Sequence, residues 1–341
     1  MLGALLKETE LQTGYLGNEV VETIYFGGGT PSLLTISDLR FQIDKIRKTF
    51  PVSDDAEITL EANPDDINEE RLSGWKEIGI NRLSIGVQSF FEEDLMWMNR
   101  AHNADQAVGS LQFAVNYFDN ITMDLIYGHP LLSNEKWRQN VEKVIALNIP
   151  HISCYALTVE PKTPLSKMIK EKKKEDIQQE KQAEQFLLLM EWLENAGYEH
   201  YEISNFANPG FKSRHNASYW QGKKYLGLGP SAHSFNGESR QWNISNNNIY
   251  IESLEKNEIP FEKEILTPSQ KANEYIMTSL RTMEGLNLNK VNEAISNELR
   301  ASSRKFIESG KLTLKENKLL LTKEGKLFSD GIAADLFIDT F

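Results

Sequence analysis

The stretch Tyr25-Phe26-Gly27-Gly28-Gly29-Thr30-Pro31-Ser32-Leu33-Leu34 is an apolar run that breaks abruptly into three glycines. Val21 to Phe26 reads as a buried strand, and glycines at its carboxyl end let the backbone turn sharply and approach a ligand with no Cβ in the way. Thr30 and Ser32 then offer hydroxyls and amides to a polar group. In open α/β sheets and barrels, sites are built at that end of the strands. A lone glycine cluster suits a ligand-free βα turn equally well, so the rest of the chain has to decide.

Outward from this turn, four more strands are predicted, over Glu57 to Glu61, Arg82 to Val87, Thr122 to Tyr127 and His151 to Leu157. Helical stretches separate them, beginning with one capped by Ser37 and running to about Phe50. Such alternation is the pattern of βαβ units in one parallel sheet, and polar residues gathered at the strands' carboxyl ends favour a barrel or partial barrel over a flat sheet. Tyr198 to Ile203 reads as a further strand, and residues 205–243 form a loop-rich stretch with more aromatic, glycine and asparagine content than a mere connection needs. From Thr267 onward, two helices over about 268–284 and 289–308 and a hairpin over Leu312 to Leu321 predict a small winged-helix-like domain. The expected division is therefore 1–204, a connecting region 205–265, and 266–341.

Thirty-seven basic against 49 acidic residues give a net charge of −12, which argues against broad nucleic-acid binding. No window of 18 apolar residues and no secretory signal pattern occurs, so a cytoplasmic chain is expected, with peripheral contact with a membrane left open. The single cysteine, Cys154, excludes a disulfide framework and a cysteine cluster for zinc or iron–sulfur. It sits inside a predicted strand and reads as a small buried hydrophobe. His102, His129, His151 and His200 have no metal-ligand spacing and read as structural.

Thr30, Glu61, Asn63, Gln88 and Asp124 fall at or near successive strand ends, and Arg100 lies just past Gln88. Two carboxylates, an amide, an arginine and a glycine turn suit a ligand with vicinal hydroxyls, an amino group and a carboxylate, because arginine grips a carboxylate bidentately while Asp or Glu accepts from a diol or ammonium. Ordinary strand-end polarity and surface ion pairing account for the same residues without a ligand.

The strings IYFGGGTPSLL, EANPDDI, INRLSIGVQSF, MDLIYGHP and YALTVEPKTPL, in order and with matching spacing, resemble radical S-adenosylmethionine (SAM) proteins of the oxygen-independent coproporphyrinogen III oxidase type. The resemblance implies an α/β fold, a partial (β/α)6 barrel with its first strand missing here and a small α+β carboxyl-terminal domain. It also implies a SAM site at Gly28, Gly29, Thr30, Glu61, Gln88, Arg100 and Asp124. His215-Asn216-Ala217-Ser218-Tyr219-Trp220 is similar to the H-N-x-x-Y-W string of the HemW-type haem chaperone branch. An imidazole beside two aromatics is a reasonable porphyrin site, with His215 on the haem iron and Tyr219 or Trp220 over the macrocycle, although a loop histidine bonded to backbone beside core aromatics reads the same way. His233, in a further matching string, is a second candidate near the cofactor mouth.

The family holds a 4Fe-4S cluster with three cysteines in a loop after its first strand, and this chain has neither that strand nor those cysteines. The expectation is an amino-terminally truncated member, with loss of radical chemistry as the rival, and with strand 21–26 left as an unpaired edge. The functional expectation is a chaperone that binds haem and delivers it to acceptor haemoproteins, with no catalytic residue assigned. The alternative is oxygen-independent coproporphyrinogen III oxidase, and the third reading is an interaction module that binds neither ligand.

Overall fold

Alternation within the strands sets the architecture of the computed structural model, which describes residues 1–338. In β2 (Val52–Ala62), β3 (Arg82–Gln88) and β4 (Ile121–Tyr127), one face carries Ile58, Leu60, Leu83, Ile85, Val87, Met123 and Leu125, all in the main hydrophobic core. The opposite face carries Glu57, Thr59, Glu61, Arg82, Ser84, Thr122 and Asp124. Because side chains of a strand alternate between faces, the apolar set goes outward under the helices and the polar set lines the concave side. Trp75 and Trp137, both wholly buried, anchor two of the covering helices to that outer face.

Together with β1 (Val21–Phe26), β5 (His151–Ala156), β6 (Glu199–Glu202) and β7 (Asn205–Ala207), these strands form a seven-stranded half-barrel in the order β1-β2-β3-β4-β5-β7-β6. Pairings from β1 to β5 are parallel, and β7 and β6 close the series antiparallel. The strand expected over Tyr198 to Ile203 forms as β6, whereas β7 falls in the stretch expected to be loop-rich, because the chain reverses at Ile203 and Ser204 and sends it back between β5 and β6. β1 stands at one edge of the sheet, and the helix Arg214–Trp220 packs against it.

The first covering helix, Ile36–Thr49, is capped by Thr35 and not by the expected Ser37. Thr35 and Asp38 make reciprocal capping bonds, which satisfy more orphan amides than a serine one residue into the helix can. The connecting region 205–265 holds β8 (His233–Phe235), β9 (Ser239–Asn243) and β10 (Phe261–Ile265), a three-stranded antiparallel sheet. The amino-terminal helix Leu2–Leu11 docks on this region through buried Glu8, which accepts from Gly229 N at 2.8 Å, Asn243 Nδ2 at 2.6 Å and the Tyr250 hydroxyl. Beyond it, helices Pro268–Leu280 and Glu293–Glu308 pack on β11 (Leu286–Asn287), β12 (Leu312–Lys315) and β13 (Lys318–Leu321) around a core of their own, the helix–helix–hairpin order expected of the carboxyl-terminal unit.

Candidate functional site

At the carboxyl ends of β1 to β4 a cavity of about 170 Å³ is lined by Gly29, Thr30, Ser32, Glu61, Asn63, Ser84, Gly86, Gln88, Arg100 and Asp124. Six of the seven residues expected to hold SAM thus meet at one mouth. The seventh, Gly28, does not line it but turns the chain at φ +78°. Gly27 is needed for close approach, since a Cβ there would lie 2.7 Å from Glu61 Oε1 and 2.6 Å from Tyr25 Cε1. Those two side chains are themselves bonded, Tyr25 donating its hydroxyl to Glu61 Oε1 at 2.7 Å.

Arg100 donates to Asn63 Oδ1 and to the Gly86 carbonyl, both at 3.2 Å, while its buried Nε has no protein partner. Gln88 and Asn99, on either side of the helix Glu92–Trp97, adopt left-handed φ values of +70° and +56°. Such conformations cost energy for residues with a Cβ and persist where packing enforces them, commonly at binding sites. Opposite Arg100, burial pushes the Asp124 carboxyl up from 3.8 to about 7, with Glu61 adding to the rise and Ser153, Arg82 and Arg100 opposing it. An arginine with a spare donor faces two carboxylates, Glu61 and Asp124, across one cavity.

His215 lies on the helix Arg214–Trp220, whose first turn is fixed by a carboxylate from within the half-barrel. Glu57 accepts from Arg214 N at 3.0 Å, His215 N at 2.9 Å and the Ser213 hydroxyl at 3.4 Å, and Arg82 lies 3.8 Å away. The imidazole stacks on Tyr25 with ring centroids 4.6 Å apart, meets Tyr219 edge-on at 5.0 Å, and holds Nδ1 3.0 Å from Thr23 Oγ1. Nε2 has no protein partner among the described residues. Burial first, with Arg82 assisting and Glu57 opposing, pushes His215 down to about 4, so the ring is neutral at physiological pH.

The two aromatics grouped with His215 part company. Tyr219, one helical turn on, shares its face, whereas Trp220 points into a second cavity between the half-barrel and the carboxyl-terminal unit. His233 is not near the cofactor mouth: it is exposed on β8, 6.2 Å from the Trp242 ring, because its strand belongs to the small antiparallel sheet. The four remaining histidines are buried or half-buried within the fold: His102 meets the Val87 carbonyl at 2.9 Å, His151 lies between Thr122 and Tyr201, His200 meets the Ile203 carbonyl at 3.0 Å, and His129 sits 3.6 Å from Asp94. Cys154 is buried among apolar neighbours, which pushes its thiol well up.

Thr23, Tyr25, Glu57 and Arg82 were not singled out in the sequence. Their signal is the period-two run of polar residues inside otherwise apolar strands, which marks a polar concave face rather than a solvated one.

The radical SAM superfamily model matches residues 7–161, and the HemN C-terminal domain model matches residues 266–328. Over 338 residues the chain is 32% identical to the heme chaperone HemW of Bacillus subtilis (strain 168), covering 97% of this chain and 89% of that protein. The chain belongs to the HemW family of radical SAM proteins. Another HemW relative, from Mycobacterium tuberculosis (strain ATCC 25618 / H37Rv), is 32% identical over 337 residues, covering 98% of this chain and 85% of its own. That of Escherichia coli (strain K12) is 36% identical over 232 residues, 67% of this chain and 60% of that one. Among solved structures, coproporphyrinogen III oxidase (HemN) from Escherichia coli aligns with a TM-score of 0.82 at 22% identity, covering 98% of this chain and 82% of that one. At that identity the likeness is one of fold, and it extends through the carboxyl-terminal unit. No helix among the described residues is long and apolar enough to cross a membrane.

Proposed function

We propose that this protein binds haem through His215 and passes it to acceptor haemoproteins. The observation that carries the reading is the setting of the His215 ring within its H-N-x-x-Y-W string, with Nδ1 at Thr23 and the ring packed against Tyr25 and Tyr219. A haem iron takes a neutral imidazole, and here burial keeps the ring neutral while Thr23 engages Nδ1. In the tautomer in which Nδ1 donates to Thr23 Oγ1, the Nε2 lone pair is left for the iron; a partner on the second nitrogen orients a ligating imidazole in the same way at many metal sites. Tyr25 and Tyr219 wall the ring on two sides and offer aromatic surface to a macrocycle. The HemW relatives are named as heme chaperones, which is the activity this reading assigns to the chain.

The cavity at the carboxyl ends of β1 to β4 suits SAM by its donor set. Arg100, with its unpartnered Nε, suits the ligand's carboxylate, and Glu61 and Asp124 suit its ammonium and ribose hydroxyls. The rim at Gly29 and Thr30 lets the backbone approach. Bound SAM would supply its sulfonium and nucleoside for recognition or, beside an iron–sulfur cluster, for radical chemistry. The described residues do not fit such a cluster: they hold one buried cysteine and no group of three potential metal ligands. No step of this account runs through one.

A haem titration followed by absorbance tests the reading. Saturable binding with a Soret shift is expected for the wild type and its loss for His215→Ala; an unchanged spectrum in the variant overturns the assignment.

A further inference from the structure

The second cavity, about 500 Å³, lies across the Arg214–Trp220 helix from His215. That volume is within the roughly 300–1,000 Å³ typical of small-molecule sites. Trp220, Tyr201 and Tyr275 contribute aromatic walls, and Lys212, Lys290 and Lys318 contribute cations. The Trp220 ring is braced from one side by the Arg281 guanidinium, 5.2 Å from its centre, and its buried Nε1 has no partner. Lys212 is held by Glu199 at 2.9 Å, whereas Lys290 and Lys318 enter no ion pair among the described residues. With Lys212 paired to Glu199, one carboxylate, Glu284, stands against the two unpaired lysines, so the cavity is a positive concavity on a chain of net charge −12. A concave positive patch between low-dielectric walls concentrates anions.

We propose that this cavity binds the dicarboxylate edge of a tetrapyrrole, with Lys290 and Lys318 meeting the two carboxylates and Trp220 packing on the ring. The inference rests on the haem-carrier reading and gives the cargo a second position, because Trp220 and His215 look out from opposite sides of one short helix. The chemistry of the lining suits the ligand: unpaired cations attract paired anions, a buried indole N–H without a partner takes an acceptor, and aromatic walls pack on a flat apolar body. A tetrapyrrole with two propionates meets all three. The cavity draws on both the half-barrel and the carboxyl-terminal unit, so cargo there touches two separately packed cores.

Iron-free protoporphyrin IX separates the two positions, since it has the carboxylates but no metal for His215. Its fluorescence is titrated against wild type, Lys263→Glu, Trp220→Phe and the double variant Lys290→Glu/Lys318→Glu, with circular dichroism as the check on folding. Reversing two half-buried or exposed cations is expected to weaken binding by about tenfold or more, and removing the indole N–H by a few-fold. Lys263→Glu, an exposed charge reversal on β10 outside both positions, is expected to bind as the wild type does. Unchanged affinity in the lysine double variant, an equal loss of binding in Lys263→Glu, or no binding by the wild type overturns the proposal. Failure of the His215 reading is seen separately, in the iron-dependent Soret spectrum, and leaves the protoporphyrin result unaffected.

Discussion

Replacing Asp124 with Asn changes how stability depends on pH. In the fold the carboxyl is pushed from 3.8 to about 7, chiefly by burial, so the native state holds its proton more tightly than the unfolded chain does. A group with a raised native pKa lends stability that is complete below the unfolded value and is lost as pH rises through the native one. Between pH 5.5 and 8.5 the unfolded carboxyl is ionised throughout, while the native one releases its proton near 7. At about 1.4 kcal/mol per unit over roughly one and a half units, the wild type loses about 2 kcal/mol across that interval. Asn keeps the shape and cannot ionise. Urea unfolding of both proteins at pH 5.5 and 8.5 reads the effect: Asp124→Asn should gain about 2 kcal/mol on the wild type at the higher pH. Curves that stay parallel would refute the claim that its place in the fold holds the Asp124 carboxyl well above its ordinary value.

Removing the methylene-rich donor in Arg100→Ala should weaken SAM binding by tenfold or more in calorimetric titration, and undiminished affinity would take Arg100 out of the site. Thr23→Val, which keeps the shape and deletes the partner of His215 Nδ1, should lower haem affinity by about tenfold with the Soret position retained, as absorbance titration would show. Gly27→Ala should cost about 1–3 kcal/mol in urea unfolding, since its Cβ meets Glu61 and Tyr25, and a neutral result would mean that the turn yields. With burial holding His215 at about 4, the haem spectrum should persist down to pH 5, whereas loss near 6.5 would mark a ring that titrates as if in water.

The parallel strands were legible because each alternates apolar and polar residues between glycine or proline turns, as Arg82 to Gln88 does. The mouth followed from them, since Thr30, Glu61, Gln88 and Asp124 sit where barrel topology brings strand ends together. The small sheet was not legible. β10, Phe-Glu-Lys-Glu-Ile, is exposed along its length, so it carries no burial alternation, and it pairs with β9 across an intervening helix. Nor could local pattern divide His215 from Trp220, five positions along one helix, because which face meets β1 and which meets the carboxyl-terminal unit is a tertiary matter. Thr23 and Glu57 were hidden for the same reason: each is one polar residue in a strand until the helix Arg214–Trp220 is set against it.

The most direct test of the account is the identity of the iron ligand. Resonance Raman spectra of the haem complex, made with natural and with nitrogen-15 histidine, should show an isotope-sensitive iron–histidine band in the wild type and in His233→Ala, and none in His215→Ala. A band that survives in His215→Ala would contradict the central claim and place the haem on another residue.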